Sequence, residues 1–180
     1  MSILGSTIVE KYGAHYLRRS ALSIRDGAGV FEKVLSGKGY RTALEIGTYR
    51  GVSAAEISRY VDRVVTIDLK HGRQEQLGER YDRQAFWRSL GIDNIELHLI
   101  ADDAEKAELV SRLEFDFAFV DGAHDETVAD DFALVKRCGN VLFHDYDSRG
   151  SKEKDYVYDF VNTLPKHQVQ VLDIFALWTA

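Results

Sequence analysis

The feature that most constrains this chain is an alternation. Short continuous apolar runs recur at residues 42–46, 63–68, 95–100, 115–120 and 140–144, separated by longer stretches whose apolar residues follow helical spacing. A strand covered on both faces reads as an unbroken apolar run, whereas a helix lying on a sheet shows one apolar stripe per 3.6 residues. The helical stretches are 53–60, 80–90, 103–113, 127–137 and 155–164, with Gly91, Gly139 and Pro165 as stop signals. Strands alternating with helices predict βαβ units. The expected fold class is α/β: a Rossmann-like, doubly wound, mostly parallel sheet with helices on both faces.

The rest of the sequence fits around that frame. Residues 1–40 read as one or two helices, with Val30, Val34 and Leu35 on an apolar face of the second. Residues 169–180 read as one strand or a very short hairpin. No repeat, low-complexity block or Gly/Ser linker interrupts the 180 residues, so a single domain over 1–180 is expected. The 23 Lys+Arg against 29 Asp+Glu give a net charge of −6, which argues against a nucleic-acid partner gripped through its phosphates. A single cysteine, Cys138, excludes an internal disulfide framework and a cysteine-based zinc site. No apolar run reaches the roughly 20 residues of a membrane span, and the first residues lack a secretory pattern. The expected setting is the cytoplasm, without membrane association.

The sharpest local motif is Leu44-Glu45-Ile46-Gly47-Thr48-Tyr49-Arg50-Gly51-Val52-Ser53, a strand passing through a glycine turn into a helix. In an open α/β sheet such a turn lies at the carboxyl edge, where ligands bind. Glycine there permits close backbone approach, and the helix start favours an anionic group. Tyr49 stands at the second glycine position of the dinucleotide fingerprint, which argues against an NAD-dependent oxidoreductase. The second strand ends in Asp68, suited to accept from ribose hydroxyls. The third ends in Asp102-Asp103, near where an adenine amino group would lie, and the fourth in Asp121-Gly122-Ala123-His124. The simpler reading of Asp102, Asp103 and Asp125 is helix N-capping.

These residues resemble the class I S-adenosylmethionine-dependent methyltransferases over about residues 40–146. The glycine turn is similar to the first motif of the catechol O-methyltransferase group. The segments Phe119-Val120-Asp121-Gly122-Ala123-His124 and Val141-Leu142-Phe143-His144-Asp145 are similar to the small type 24 methyltransferases. The resemblance implies S-adenosylmethionine as cofactor. Gly47 and Tyr49 would line its methionine part, with Glu45 and Gly51 in the same turn. Ser53 would meet its carboxylate, Asp68 its ribose, and Asp102 and Asp103 its adenine, with Asp121 beside the same cleft. It also implies a divalent metal, Mg²⁺ or another, on Asp121 and Asp145; the imidazole of His144 beside them is of a kind that suits a transition metal. Where the catechol enzymes carry a lysine base this chain has His124, and where they carry an asparagine after the second aspartate it has Tyr146.

The chemistry agrees with that assignment of parts. Methyl transfer is an in-line displacement that needs a held acceptor and a base, and a histidine, with an ordinary pKa of about 6.5, suits the base. The expected function is therefore O-methylation of a small hydroxylated acceptor, with His124 and Asp121 as the catalytic residues. The alternative is a non-catalytic nucleoside- or S-adenosylmethionine-binding module of the same fold. His144 reads more simply as a buried strand-end histidine bonded to backbone, and Trp87 as packing. Tyr12, His15, Tyr16, Arg18 and Arg19 read as a lid over the site. With no room for a separate substrate domain, the acceptor falls to short loops, the N-terminal helices or a second subunit in a homodimer.

Overall fold

The computed structural model describes residues 3–16, 27–70, 82–123, 125–146 and 155–180. Its strands are β1 (Thr42–Ile46), β2 (Arg63–Leu69), β3 (Ile95–Ile100), β4 (Phe117–Val120), β5 (Asn140–Phe143), β6 (Val169–Leu172) and β7 (Phe175–Thr179). They form one sheet in the order β3-β2-β1-β4-β5-β7-β6. β1 to β5 are parallel to their neighbours, while β7 runs antiparallel to both β5 and β6. The expected doubly wound parallel sheet is thus the observed one. Strand order reverses between β1 and β4, and the carboxyl ends of these two strands flank the resulting crevice.

The described helices are α1 (Ile3–Tyr12), α2 (Gly27–Leu35), α3 (Val52–Ile57), α4 (Arg83–Ser89), α5 (Asp103–Ser111), α6 (Val128–Val135) and α7 (Tyr156–Val161). Strand alternation divides the core into two layers. Ala43, Val64, Phe117, Phe119, Leu142 and Phe175 face α1 to α4, where Ile8, Phe31, Leu35, Ile57 and Trp87 cover them. Leu44, Ile46, Val65, Ile67, Ala118, Val141 and Phe143 face α5 to α7, under Val110, Phe132, Val135 and Val161. The inner strands are therefore apolar on both sides, which is why the sequence shows runs rather than alternation, while the edge strands β3 and β6 are only partly buried.

Element starts follow capping chemistry. The Asp82 carboxylate accepts from the Ala85 amide (2.8 Å), and the Asp155 carboxylate from the Tyr158 amide (3.0 Å). The α5 start is closed twice: Asp102 accepts from the Glu105 amide (2.9 Å), and the Glu105 carboxylate accepts from the Ala101 amide (2.6 Å). Gly91 and Gly139 stop their helices at φ 74° and 77°. β4 begins at Phe117 rather than at residue 115. The Asp116 carboxylate accepts from the Arg41 and Thr42 amides (2.8 and 2.9 Å), and the Phe115 ring lies under the Arg137 guanidinium (4.8 Å), so both side chains are committed outside the strand. The tail makes two strands, turning at Asp173, whose φ of 61° an aspartate tolerates. No helix among the described residues is long and apolar enough to cross a membrane.

Candidate active site

The glycine turn is built by close packing. The Gly47 amide donates to the Ile67 carbonyl (2.9 Å), and Gly47 adopts φ +96°. A Cβ at Gly47 would lie 2.1 Å from the Asp121 carbonyl oxygen. This glycine is therefore required where the β1 turn presses on the end of β4. Gly51, at φ +77°, lies against the Trp87 indole, where a Cβ would come within 2.7 Å of the ring. Trp87 Nε1 donates to the Gly51 carbonyl (2.8 Å) and the side chain is buried, so Trp87 braces the turn, as the packing reading expects. Tyr49 is held at φ +46°, an uncommon conformation for an aromatic residue.

Beneath the turn lies a buried polar layer. Glu45 is 0% exposed, and its carboxylate accepts from the Thr66 hydroxyl, which also contacts the Thr48 hydroxyl (2.6 Å). Burial pushes Glu45 up to about 8. The hydroxyls of Ser53 and Thr66 pull against that rise, and the negative charges of Asp121 and Asp68 add to it. Ser53, itself buried, thus serves this layer.

Asp68, at the end of β2, accepts from Arg83 Nη2 (2.6 Å) and, through its other oxygen, from the Leu69 amide (3.0 Å). Arg83 is 7% exposed, and its Nε donates to the Tyr49 carbonyl (2.5 Å). Burial pulls its guanidinium down from the ordinary value while Asp68 and Glu45 push it up. No periodic or motif signal marks Arg83. The signal that could have found it is that a buried strand-end aspartate calls for a cation.

Asp121 and His144 meet at neighbouring strand ends. His144 is 4% exposed, and its Nδ1 donates to Asp121 Oδ1 (2.8 Å) with Asp145 Oδ1 at 3.5 Å; the Phe175 ring packs on its face at 5.0 Å. The buried reading of His144 is right, but its partner is a carboxylate rather than backbone. Asp145 takes φ +56°, which turns the chain after β5. Among the described residues no group of three or more His, Cys, Asp or Glu side chains is arranged to hold a metal ion. Asp121 and Asp145 are instead drawn onto the protein's own imidazole. The Tyr146 ring packs on Tyr158 (5.2 Å), away from both.

The remaining expectations divide. Asp102 caps α5 through Oδ1, while Asp103 is exposed and paired with Lys106 (2.7 Å). Asp125 accepts from the amide and hydroxyl of Thr127 (3.0 and 2.7 Å). The lid residues Tyr12 and Tyr16 are docked, their rings 5.3 and 4.7 Å from Phe86. The Arg50 guanidinium ties the same segment to the glycine turn, donating to the carbonyls of His15 (2.6 Å) and Tyr16 (3.2 Å). His124, Arg18 and Arg19 lie outside the described residues.

These contacts describe an open, doubly wound α/β protein whose functional groups gather at the strand-order switch. The model of a family described as a methyltransferase domain matches residues 44–146, more than half of the chain and every candidate site residue. The chain belongs to this methyltransferase family. No curated protein matches it. Among solved structures, it is similar to cofactor-bound Rv0187 from MTB at 18% identity and a TM-score of 0.74, covering 99% of this chain and 90% of that one. An O-methyltransferase from Bacillus cereus in complex with SAH gives 16% identity and a TM-score of 0.69, covering 100% and 92%. The O-methyltransferase TomG from Streptomyces achromogenes, in complex with SAM, gives 17% and 0.64, covering 100% and 91%. At such identities these likenesses show the shared fold.

Proposed function

We propose that this methyltransferase uses S-adenosylmethionine and methylates a hydroxyl of a small acceptor, with His124 as general base. The observation that supports it is the convergence of the Gly47 turn, Asp68 and Asp121 on the carboxyl edge at the switch point, in a chain of the methyltransferase family. The donor set suits the cofactor: a carboxylate for a diol at Asp68, a turn with a buried acid at Glu45, and an acidic surround for a cation. When bound, S-adenosylmethionine supplies an already activated methyl group.

The chain's own residues then bind, orient and move a proton. Asp68 accepts from the ribose hydroxyls. Gly47 and Tyr49 line the methionine end, with Ser53 toward its carboxylate and Asp102 and Asp103 toward the base. Asp121, fixed by His144 Nδ1, sits beside the acceptor end. His124, three residues further on, takes the acceptor's hydroxyl proton as the oxygen attacks in line.

Calorimetry tests the binding half. S-Adenosylmethionine or S-adenosylhomocysteine should bind, and Asp68→Ala should abolish that binding; no heat with either compound on the intact chain sinks the proposal. A separate substitution isolates the base. His124→Ala should retain cofactor affinity and lose roughly 10²- to 10⁴-fold in turnover. Turnover within a few-fold of the parent would remove His124 from the role.

A further inference from the structure

We propose that Arg83 is a positioning residue that sets the spacing between the two ends of the cofactor site. This rests on the assignment of Asp68 to the ribose. Adjacent donors on one planar guanidinium are used on two elements: Nε on the Tyr49 carbonyl (2.5 Å) in the glycine turn, and Nη2 on Asp68 Oδ2 (2.6 Å) at the end of β2. The plane cannot flex between those donors, so Tyr49 and Asp68 are held at one separation. Tyr49 is the residue that needs holding, because its φ of +46° costs about 1–2 kcal/mol for an L side chain and persists only where neighbours over-determine it. Arg83 is itself immobilised. It is 7% exposed at the first turn of α4, whose start is fixed by the Asp82 cap.

Arg83 orients the Asp68 carboxylate through Oδ2, and the Leu69 amide holds it through Oδ1. A lysine keeps the charge but offers a single point donor with no fixed plane, so it cannot hold both partners at a set distance.

The test measures the affinity of Arg83→Lys for S-adenosylhomocysteine and for its 2′-deoxyribose analogue by calorimetry, with thermal midpoints alongside. The variant should bind S-adenosylhomocysteine roughly tenfold to a hundredfold more weakly, the scale of a charge-assisted hydrogen bond. The parent's preference for the full ribose should shrink to less than about threefold. Equal weakening toward both ligands would mean that Arg83 acts only through general stability, and would overturn the proposal, as would parent-like affinity. Arg83→Gln, checked for folding by circular dichroism, gives the same two readouts if the lysine variant is not recovered folded. Asp68→Asn separates the two levels. Lost ribose preference in Asp68→Asn with an unchanged Arg83→Lys overturns the Arg83 role alone. An unchanged Asp68→Asn overturns the ribose assignment itself.

Discussion

Gly47→Ala should destabilise the chain by about 2–6 kcal/mol, which is a large part of the roughly 5–15 kcal/mol that holds an ordinary domain together. Two costs combine. The native φ of +96° lies in the region that L side chains rarely adopt, worth about 1–3 kcal/mol. The new Cβ would also lie 2.1 Å from the Asp121 carbonyl oxygen and 2.6 Å from its carbon, atoms of backbone that cannot rotate aside as a side chain would. The end of β4 must therefore move away from the β1 turn, at a further cost of about 1–3 kcal/mol for overpacking. Thermal unfolding should show a midpoint lowered by roughly 10 °C. Gly39→Ala is the control. It shares a positive φ of +72° but has no heavy atom within 4 Å of the added Cβ, so it carries strain without collision. Equal losses at the two positions would show that the collision with Asp121 costs nothing. Because Asp121 is also the partner of His144, the displacement should reach the candidate site as well as the fold.

That collision also shows what a sequence can and cannot disclose. The inner strands were legible because burial on both faces leaves a local mark: Thr42–Ile46 has the expected bounds, and β2 runs one residue beyond Asp68. The partly buried edge strand Ile95–Ile100 also has the expected bounds. The α5 start was legible because a cap acts within three residues, as Asp102 does, whereas α4 begins at Arg83 behind an Asp82 cap and not at residue 80 as expected. The role of the glycines was only half legible. Spacing marked Gly47 and Gly51 as special, and a ligand was the obvious reason for open backbone. The atoms that crowd them belong to Asp121 and Trp87, brought in by β4 and α4. Long-range pairs left no local pattern. Arg83 and Asp68 are 15 residues apart, and His144 and Asp121 are 23 apart. Their meeting depends on which strand ends are neighbours, and so on sheet order rather than on local pattern. For the same reason the sequence could propose Asp121 and Asp145 as a pair, yet not that the imidazole between them would engage both.

Glu45→Gln should stabilise the chain at alkaline pH and leave it unchanged in mild acid. The sign follows from where the proton sits. The unfolded carboxyl titrates near 4.5 and the folded one near 8, raised chiefly by burial at 0% exposure and further by the charges of Asp121 and Asp68. Between those values the folded chain holds a proton that the unfolded chain has released, so stability falls as pH rises. Below about 4.5 both states are protonated and the contribution is fully present. Above about 8 both are ionised and it has been lost, an amount on the order of 5 kcal/mol for a shift of this size. Glutamine keeps the shape and can still accept from the Thr66 hydroxyl, but it never ionises. Urea unfolding of the parent and the variant at pH 5 and pH 8.5 isolates the group, because the other carboxylates titrate alike in both. The variant's advantage should be small at the lower pH and several kcal/mol at the higher. An advantage that does not change with pH would mean that Glu45 is ionised throughout, held charged beneath the turn by Thr66, Ser53 and the nearby Arg83.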